Sequence, residues 1–166
     1  MTATPDPSVV ILLVKHQSLR LLKDAYGSVV LPTSIIEVIP SNTLDEAIAE
    51  GWLQLHDPET DYVMKVDEIQ AKSGIKLSVH DEACIALVLQ LGAQPVLTID
   101  REVQEAARLL GVSVEGLPSL ILAASKSGAI SKEDGMRLFH EIYEGLLPGL
   151  GIEMILQNSP EWRSSS

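Results

Sequence analysis

The chain has 166 residues and a mass of 18.0 kDa, the size of one ordinary domain; 46% apolar residues exclude a disordered tail. Cys84 is its single cysteine, which excludes an intrachain disulfide and a thiolate zinc cage. Twelve Lys and Arg against 23 Asp and Glu leave a net charge of −11, which argues against holding polyanions through a basic surface.

Residues 1–8, MTATPDPS, carry no basic n-region, and Val9–Val14, among the longest apolar runs, falls far short of the ~20 residues of a membrane span. The expectation is a cytoplasmic, soluble domain with no membrane partner. In chain order, MTATP is a short first strand. Leu19–Ala25 is helical, and Ser28–Leu31 is a strand closed by Pro32. Trp52–His56 is a further strand, followed by a polar stretch around Asp57–Glu68 that reads as a solvated helical face. Residues 82–91 are apolar nearly all round and predict a deeply buried helix, ended by Gly92.

Pro95–Ile99 is the next strand. Helix 101–110 places Val103, Ala106, Ala107 and Leu110 on one face and stops at Gly111. Val112–Val114 is the last strand, and Pro118–Ser127 the helix after it. Capping boxes are predicted at Thr43–Glu46, Ser78–Asp81 and Ser131–Asp134. Strands alternating with helices predict a three-layer α/β/α sandwich on a parallel, Rossmann-like sheet. One domain is expected over 1–156, with a flexible tail at 157–166 and Met154–Leu156 as core or dimer contact. The acid excess is concentrated: residues 38–100 hold eleven acids and three bases, while residues 1–37 hold three of each.

In open parallel sheets, sites form beyond the carboxyl ends of the strands. Asp6 follows the first strand, Asp100 follows PVLTI, and Asp81 lies in the first turn of the buried helix. Converging carboxylates repel each other unless a divalent cation neutralises them, and Mg²⁺ or Mn²⁺ suits oxygen-only ligands. Each acid also has a plain structural reading. Asp6-Pro7 is an N-cap with Pro at N1, Asp81 fits a capping box, and Asp100 fits the N-cap of helix 101–110. Composition and spacing leave both readings open. His80 reads as an exposed first-turn histidine and Cys84 as inert packing. His16, His56 and His140 are scattered, with no zinc-type spacing.

From Asp6 onward the order of motifs resembles a PIN domain, of the small prokaryotic branch related to VapC-type toxins. The stretches are Asp6-Pro-Ser8-Val-Val10-Ile11, Leu19-Arg-Leu21-Leu22, Tyr26-Gly27-Ser-Val-Val-Leu-Pro32, Asp81-Glu-Ala-Cys-Ile85-Ala-Leu, Thr98-Ile-Asp100-Arg and Ala107-Arg-Leu-Leu-Gly111, with Val114–Gly128 after them. The resemblance implies a Rossmann-like sheet and an acidic Mg²⁺ or Mn²⁺ pocket formed by Asp6, Asp81 and Asp100, with Ser8 orienting the site. It implies an endoribonuclease acting on RNA, a cognate antitoxin as partner where the protein is a toxin, and a homodimer.

The family pattern begun at Pro32 would place its second acid at position 38, where Val38 stands; the acid here is Glu37. One residue on an α-helix is about 100° of rotation, so Glu37 serves only if the short helix before Pro40 is distorted. Lys15, Arg20 and Arg101 are the candidate phosphate contacts. The alternative is a degenerate PIN fold acting as a protein-binding or oligomerisation module. Val38, the short first strand, and Ala83 where the family often has an acid, favour it. A phospho-acceptor domain built on Asp100 lacks a suitable Lys after a late strand.

Overall fold

The computed structural model describes residues 2–40, 42–92 and 94–146. Five parallel strands form one sheet: β1 (Thr2–Pro5), β2 (Ser28–Leu31), β3 (Leu53–Leu55), β4 (Val96–Leu97) and β5 (Val114–Glu115). Their order is β3-β2-β1-β4-β5. The register pairs Thr2 with Ser28, Val29 with Leu53, Pro5 with Leu97 and Leu97 with Glu115. Helices α1 (Pro7–Lys15) and α2 (Leu21–Tyr26) join β1 to β2, and a 3₁₀ segment (Thr33–Glu37) with α3 (Asp45–Ala49) joins β2 to β3. Helices α4 (Thr60–Ser73) and α5 (Val79–Leu91) lead into β4, α6 (Arg101–Leu109) joins β4 to β5, and α7 (Leu117–Lys126) and α8 (Lys132–Leu146) follow.

The side-chain alternation of the strands sorts the helices into two layers. Leu97 faces a core shared with Val9 and Leu13 of α1, Leu22 of α2, Leu120 and Ile121 of α7 and Phe139 of α8. Its neighbour Val96 faces the opposite core, with Val66 of α4, Ile85, Ala86 and Val88 of α5, and Val103 and Ala106 of α6. A parallel sheet covered on both faces is the predicted sandwich. Cys84 through Val88 are buried without interruption, so α5 has little solvent face along this stretch. Helix α4 shields it with Val66 alone fully buried and turns Asp61, Met64, Lys65 and Glu68 outward. That is the solvated face expected around Asp57–Glu68.

Two predicted stops hold for a steric reason: Gly92 and Gly111 take φ of +81° and +71°, the region open to glycine. Ser78 and Ser131 cap as expected, accepting from the backbone N–H of Asp81 and Asp134. Thr43 does not. Asn42 adopts φ +75° and the Thr43 N–H donates to the Pro40 carbonyl, so Thr43 belongs to a turn, and Leu44 begins α3 without a side-chain cap. The last strand forms at Val114–Glu115 rather than Val112–Val114. The expectations for Met154–Leu156 and for a tail at 157–166 lie outside the described residues. Among the described residues, no helix is long and apolar enough to cross a membrane.

Candidate active site

Starting from β1 the chain builds outward through β2 to β3, then returns to the other side of β1 with β4 and β5. The reversal falls between β1 and β4, where a doubly wound sheet opens a crevice beyond its strand ends. Three chain segments reach that edge, each starting a helix. Asp6 is the N-cap of α1, Asp100 the N-cap of α6, and Asp81 sits in the first turn of α5. The capping and site readings are therefore compatible: helix N-termini, with their free N–H groups and positive dipole ends, gather the carboxylates.

Asp6 is fully buried. Its Oδ1 accepts from the Ser8 hydroxyl at 2.6 Å and the Val9 N–H at 3.0 Å, and its Oδ2 accepts from the Thr98 hydroxyl. The Asp6 N–H donates to the Leu97 carbonyl at 2.8 Å, which ties the end of β1 to β4. Thr98 joins two acids through one oxygen: it donates to Asp6 and accepts the Asp100 N–H at 3.0 Å. Asp100 Oδ1 in turn accepts the Glu102 N–H at 2.8 Å. Ser8, expected to orient the site, lies against Asp6 through this hydrogen bond. Thr98 was not predicted as a site residue.

Burial pushes the Asp6 carboxyl above its usual range; the hydrogen bonds from Ser8, Thr98 and Val9 pull it back, and the charge of Asp81 pushes it up again. Asp81 is also raised, first by burial and then by Asp100, with Ser78 and His80 acting in the opposite direction. The buried Cys84 thiol, directed at the Pro5 carbonyl at 3.8 Å, is driven well up by burial and by Asp6 and Asp81. Its inert reading fits this thiol form. Asp6 thus feels the charge of Asp81, and Asp81 that of Asp100. Replacing Thr98 by Val is expected to weaken Mn²⁺ binding at least fivefold while Thr98→Ser retains it, measured by calorimetry. Equal affinities for the Val variant and the wild type would remove Thr98 from the site.

The other candidates are placed as follows. Glu37 ends the 3₁₀ segment with its side chain 71% exposed, and its Oε2 lies 4.0 Å from His80 Nε2. His80 corrects an expectation: its side chain is only 20% exposed, because the first turn of α5 packs against the 3₁₀ segment. Arg101 is the exposed first residue of α6, next to Asp100. Lys15 lies in the last turn of α1, nine residues and about 13 Å of helix beyond Asp6. Arg20 precedes α2 and is paired with Glu50 at 3.1 Å, with Lys23 on the same carboxylate. Of the three bases, only Arg101 is brought to the acidic edge.

A divalent cation suits the donor chemistry of this edge: the acids are oxygen ligands, and their hydrogen-bond donors are hydroxyls and backbone N–H groups. Among the described residues, no group of three or more His, Cys, Asp or Glu side chains is placed so that it could hold a metal ion. Mg²⁺ does not require one, since it commonly takes one or two carboxylates and completes its shell with water and substrate phosphate.

An all-parallel sheet with acids at its switch point defines the class to which this chain belongs. It matches the DUF3368 family, a PIN domain, over residues 3–144, and it is a member of that family. Over 85 residues, 50% of this chain, it is 33% identical to Endoribonuclease Nob1 of Methanocaldococcus jannaschii. That match covers 43% of the relative, so the chain corresponds to less than half of its length. Membership and likeness support a nuclease-type function at the level of the family.

Proposed function

We propose that the chain is a Mg²⁺- or Mn²⁺-dependent endoribonuclease whose metal binds at the edge formed by Asp6, Asp81 and Asp100, with water and substrate phosphate completing its ligands. The observation that carries this reading is the convergence at the switch point of buried Asp6, half-buried Asp81 and exposed Asp100 at three helix starts, with Thr98 bonded to both Asp6 and Asp100. A bound divalent cation supplies an activated water and screens the charge of the scissile phosphate. The residues do the rest. Ser8, Val9 and Thr98 fix the Asp6 carboxylate from three sides, and Thr98 sets Asp100 relative to it. The N-termini of α1, α5 and α6 point their dipoles at the edge and favour an anionic backbone there. Arg101 stands ready for a flanking phosphate.

The test is cleavage of a labelled single-stranded RNA with Mn²⁺ by wild type and Asp100→Asn. Activity in the wild type and a fall of at least tenfold in the variant are expected; equal rates would sink the assignment.

A second reading, a degenerate PIN fold serving as a protein-binding or oligomerisation module, is favoured by the lack of a side-chain group placed to hold a metal ion among the described residues. Calorimetric titration separates the two: no Mn²⁺ binding at low-millimolar concentrations or below favours the module. We extend the nuclease reading to a cytoplasmic toxin silenced by a cognate antitoxin, and to a homodimer. Ile36 and Ile48 support a protein partner, since both are exposed and line one groove with Ile39 and Leu44.

A further inference from the structure

Away from the acidic edge, a cavity of about 310 Å³ lies between the last turn of α1, α3 and the residue before β3. Val14, Leu19, Ala47 and the Trp52 indole give it apolar walls. Val14 stands eight residues beyond Asp6 along α1, about 12 Å of helix. The cavity is therefore separate from the carboxylates at the strand ends. Trp52 carries an anomaly. It is only 6% exposed, and its indole Nε1–H is buried with no hydrogen-bond partner. Native structures leave few such donors without an acceptor, because each has lost its water for nothing in return.

The polar rim is partly committed. Arg20 donates from Nη1 to both Glu50 oxygens, at 3.1 and 3.2 Å, and Lys23 donates to the same carboxylate at 3.3 Å. These pairs tie the start of α2 to the end of α3 and occupy the Glu50 charge. Glu46, one turn earlier on α3, lines the same cavity, and among the described residues no cation pairs with it. The cavity thus holds an N–H that can only donate, a carboxylate that can only accept, and apolar surface for a flat body. Apolar walls with a few polar groups are the usual make-up of a small-molecule site.

We propose that this cavity binds a guanine base. The guanine carbonyl accepts the Trp52 indole N–H. The ring N–H and the amino group beside it donate together to the two Glu46 oxygens, a planar two-donor edge against a carboxylate. Adenine has a ring-nitrogen acceptor on that edge, and uracil a second carbonyl, so either turns a lone pair toward Glu46. The inference stands without the nuclease reading. The base belongs to a free nucleotide or to an RNA strand, and the arms of the experiment separate the two.

The experiment uses the full chain, ¹⁵N-labelled and in metal-free buffer, so that phosphate is not drawn to the acidic edge. Trp162→Phe leaves Trp52 as the only indole and assigns its N–H signal. That signal is expected to move saturably with GMP and with guanosine, and to stay in place with AMP, UMP and ribose 5-phosphate. Glu46→Gln should weaken GMP binding about tenfold, the usual cost of a hydrogen bond to a charged group. Its Tm should not change, because Glu46 is exposed. Asp100→Asn should bind GMP as the wild type does. A short RNA whose guanine moves the signal and is displaced by GMP makes the ligand a strand; a shift with GMP alone makes it a free nucleotide. A signal that no probe moves means that water alone satisfies Trp52, and overturns the proposal. Equal affinity for AMP, or for GMP in Glu46→Gln, overturns it too.

Discussion

Asp6→Asn is expected to reduce RNA cleavage by about 10²–10³-fold, the usual cost of losing one fixed electrostatic group in an active site, while leaving the metal-free protein at least as stable as the wild type. Asn is isosteric with Asp and its carbonyl oxygen still accepts from Ser8 and Val9, so the helix cap survives. What disappears is a charge in a fully buried position beside Asp81. The pH dependence gives the sign. The folded pKa of Asp6 lies above its ordinary value of 3.8, so between those two values the native state holds the proton and the unfolded state has lost it.

Stability from this group therefore falls as pH rises through that window, and ionised Asp6 is a net cost at neutral pH. Asp81 acts in the same direction. The advantage of Asp6→Asn over wild type should be greatest at pH 7 and shrink on acidification toward the ordinary carboxyl value of 3.8. Saturating Mn²⁺ should stabilise the wild type and not the variant. Denaturation curves at several pH values, with and without Mn²⁺, measure this. A variant much less stable than wild type at pH 7 in metal-free buffer would show that the ionised carboxylate serves the fold rather than the site.

The second large effect is on stability alone. Phe139→Ala should cost about 3–5 kcal/mol, the range for emptying a buried aromatic position, out of a total of about 5–15 kcal/mol for a domain. Phe139 is fully buried between α8 and the core of α1, α2 and α7, and its ring stacks on Tyr143 one turn further along at 4.3 Å. The acidic edge lies at the strand ends, built by other helices. The variant should keep its cleavage rate per folded molecule at low temperature while its denaturant midpoint drops. Loss of activity without loss of stability would contradict this separation.

How far the sequence carried the fold depended on range. Strands, the buried α5 and the caps at Ser78 and Ser131 rest on residues close in sequence, and their patterns are readable. Asp6, Asp81 and Asp100 were legible as candidates because each follows a strand or opens a helix, and the parallel sheet sends those positions to one edge. Thr98 was not. Its hydroxyl matters because it reaches a carboxylate 92 residues away, and no local spacing records such a contact. His80 was misjudged for the same reason: first-turn position suggested exposure, while Glu37 and the 3₁₀ segment that cover it come from the preceding β-α-β unit.

Lys15 and Arg20 lie further from Asp6 than their sequence positions suggest. Both are close to Asp6 in sequence, but a helix running back along the sheet carries them away from the edge.

The same long contact has a consequence for biosynthesis. Asp6 is made early, yet its hydroxyl donor Thr98 and its neighbouring strand β4 are translated some ninety residues later. Pairing strands this far apart in sequence comes late, because a long loop must close first. Until β4 is made, the growing chain carries the first acid of the pocket without the pocket. Under the proposed activity, a ribosome making this protein is shielded from it by topology until β4 and Thr98 have emerged.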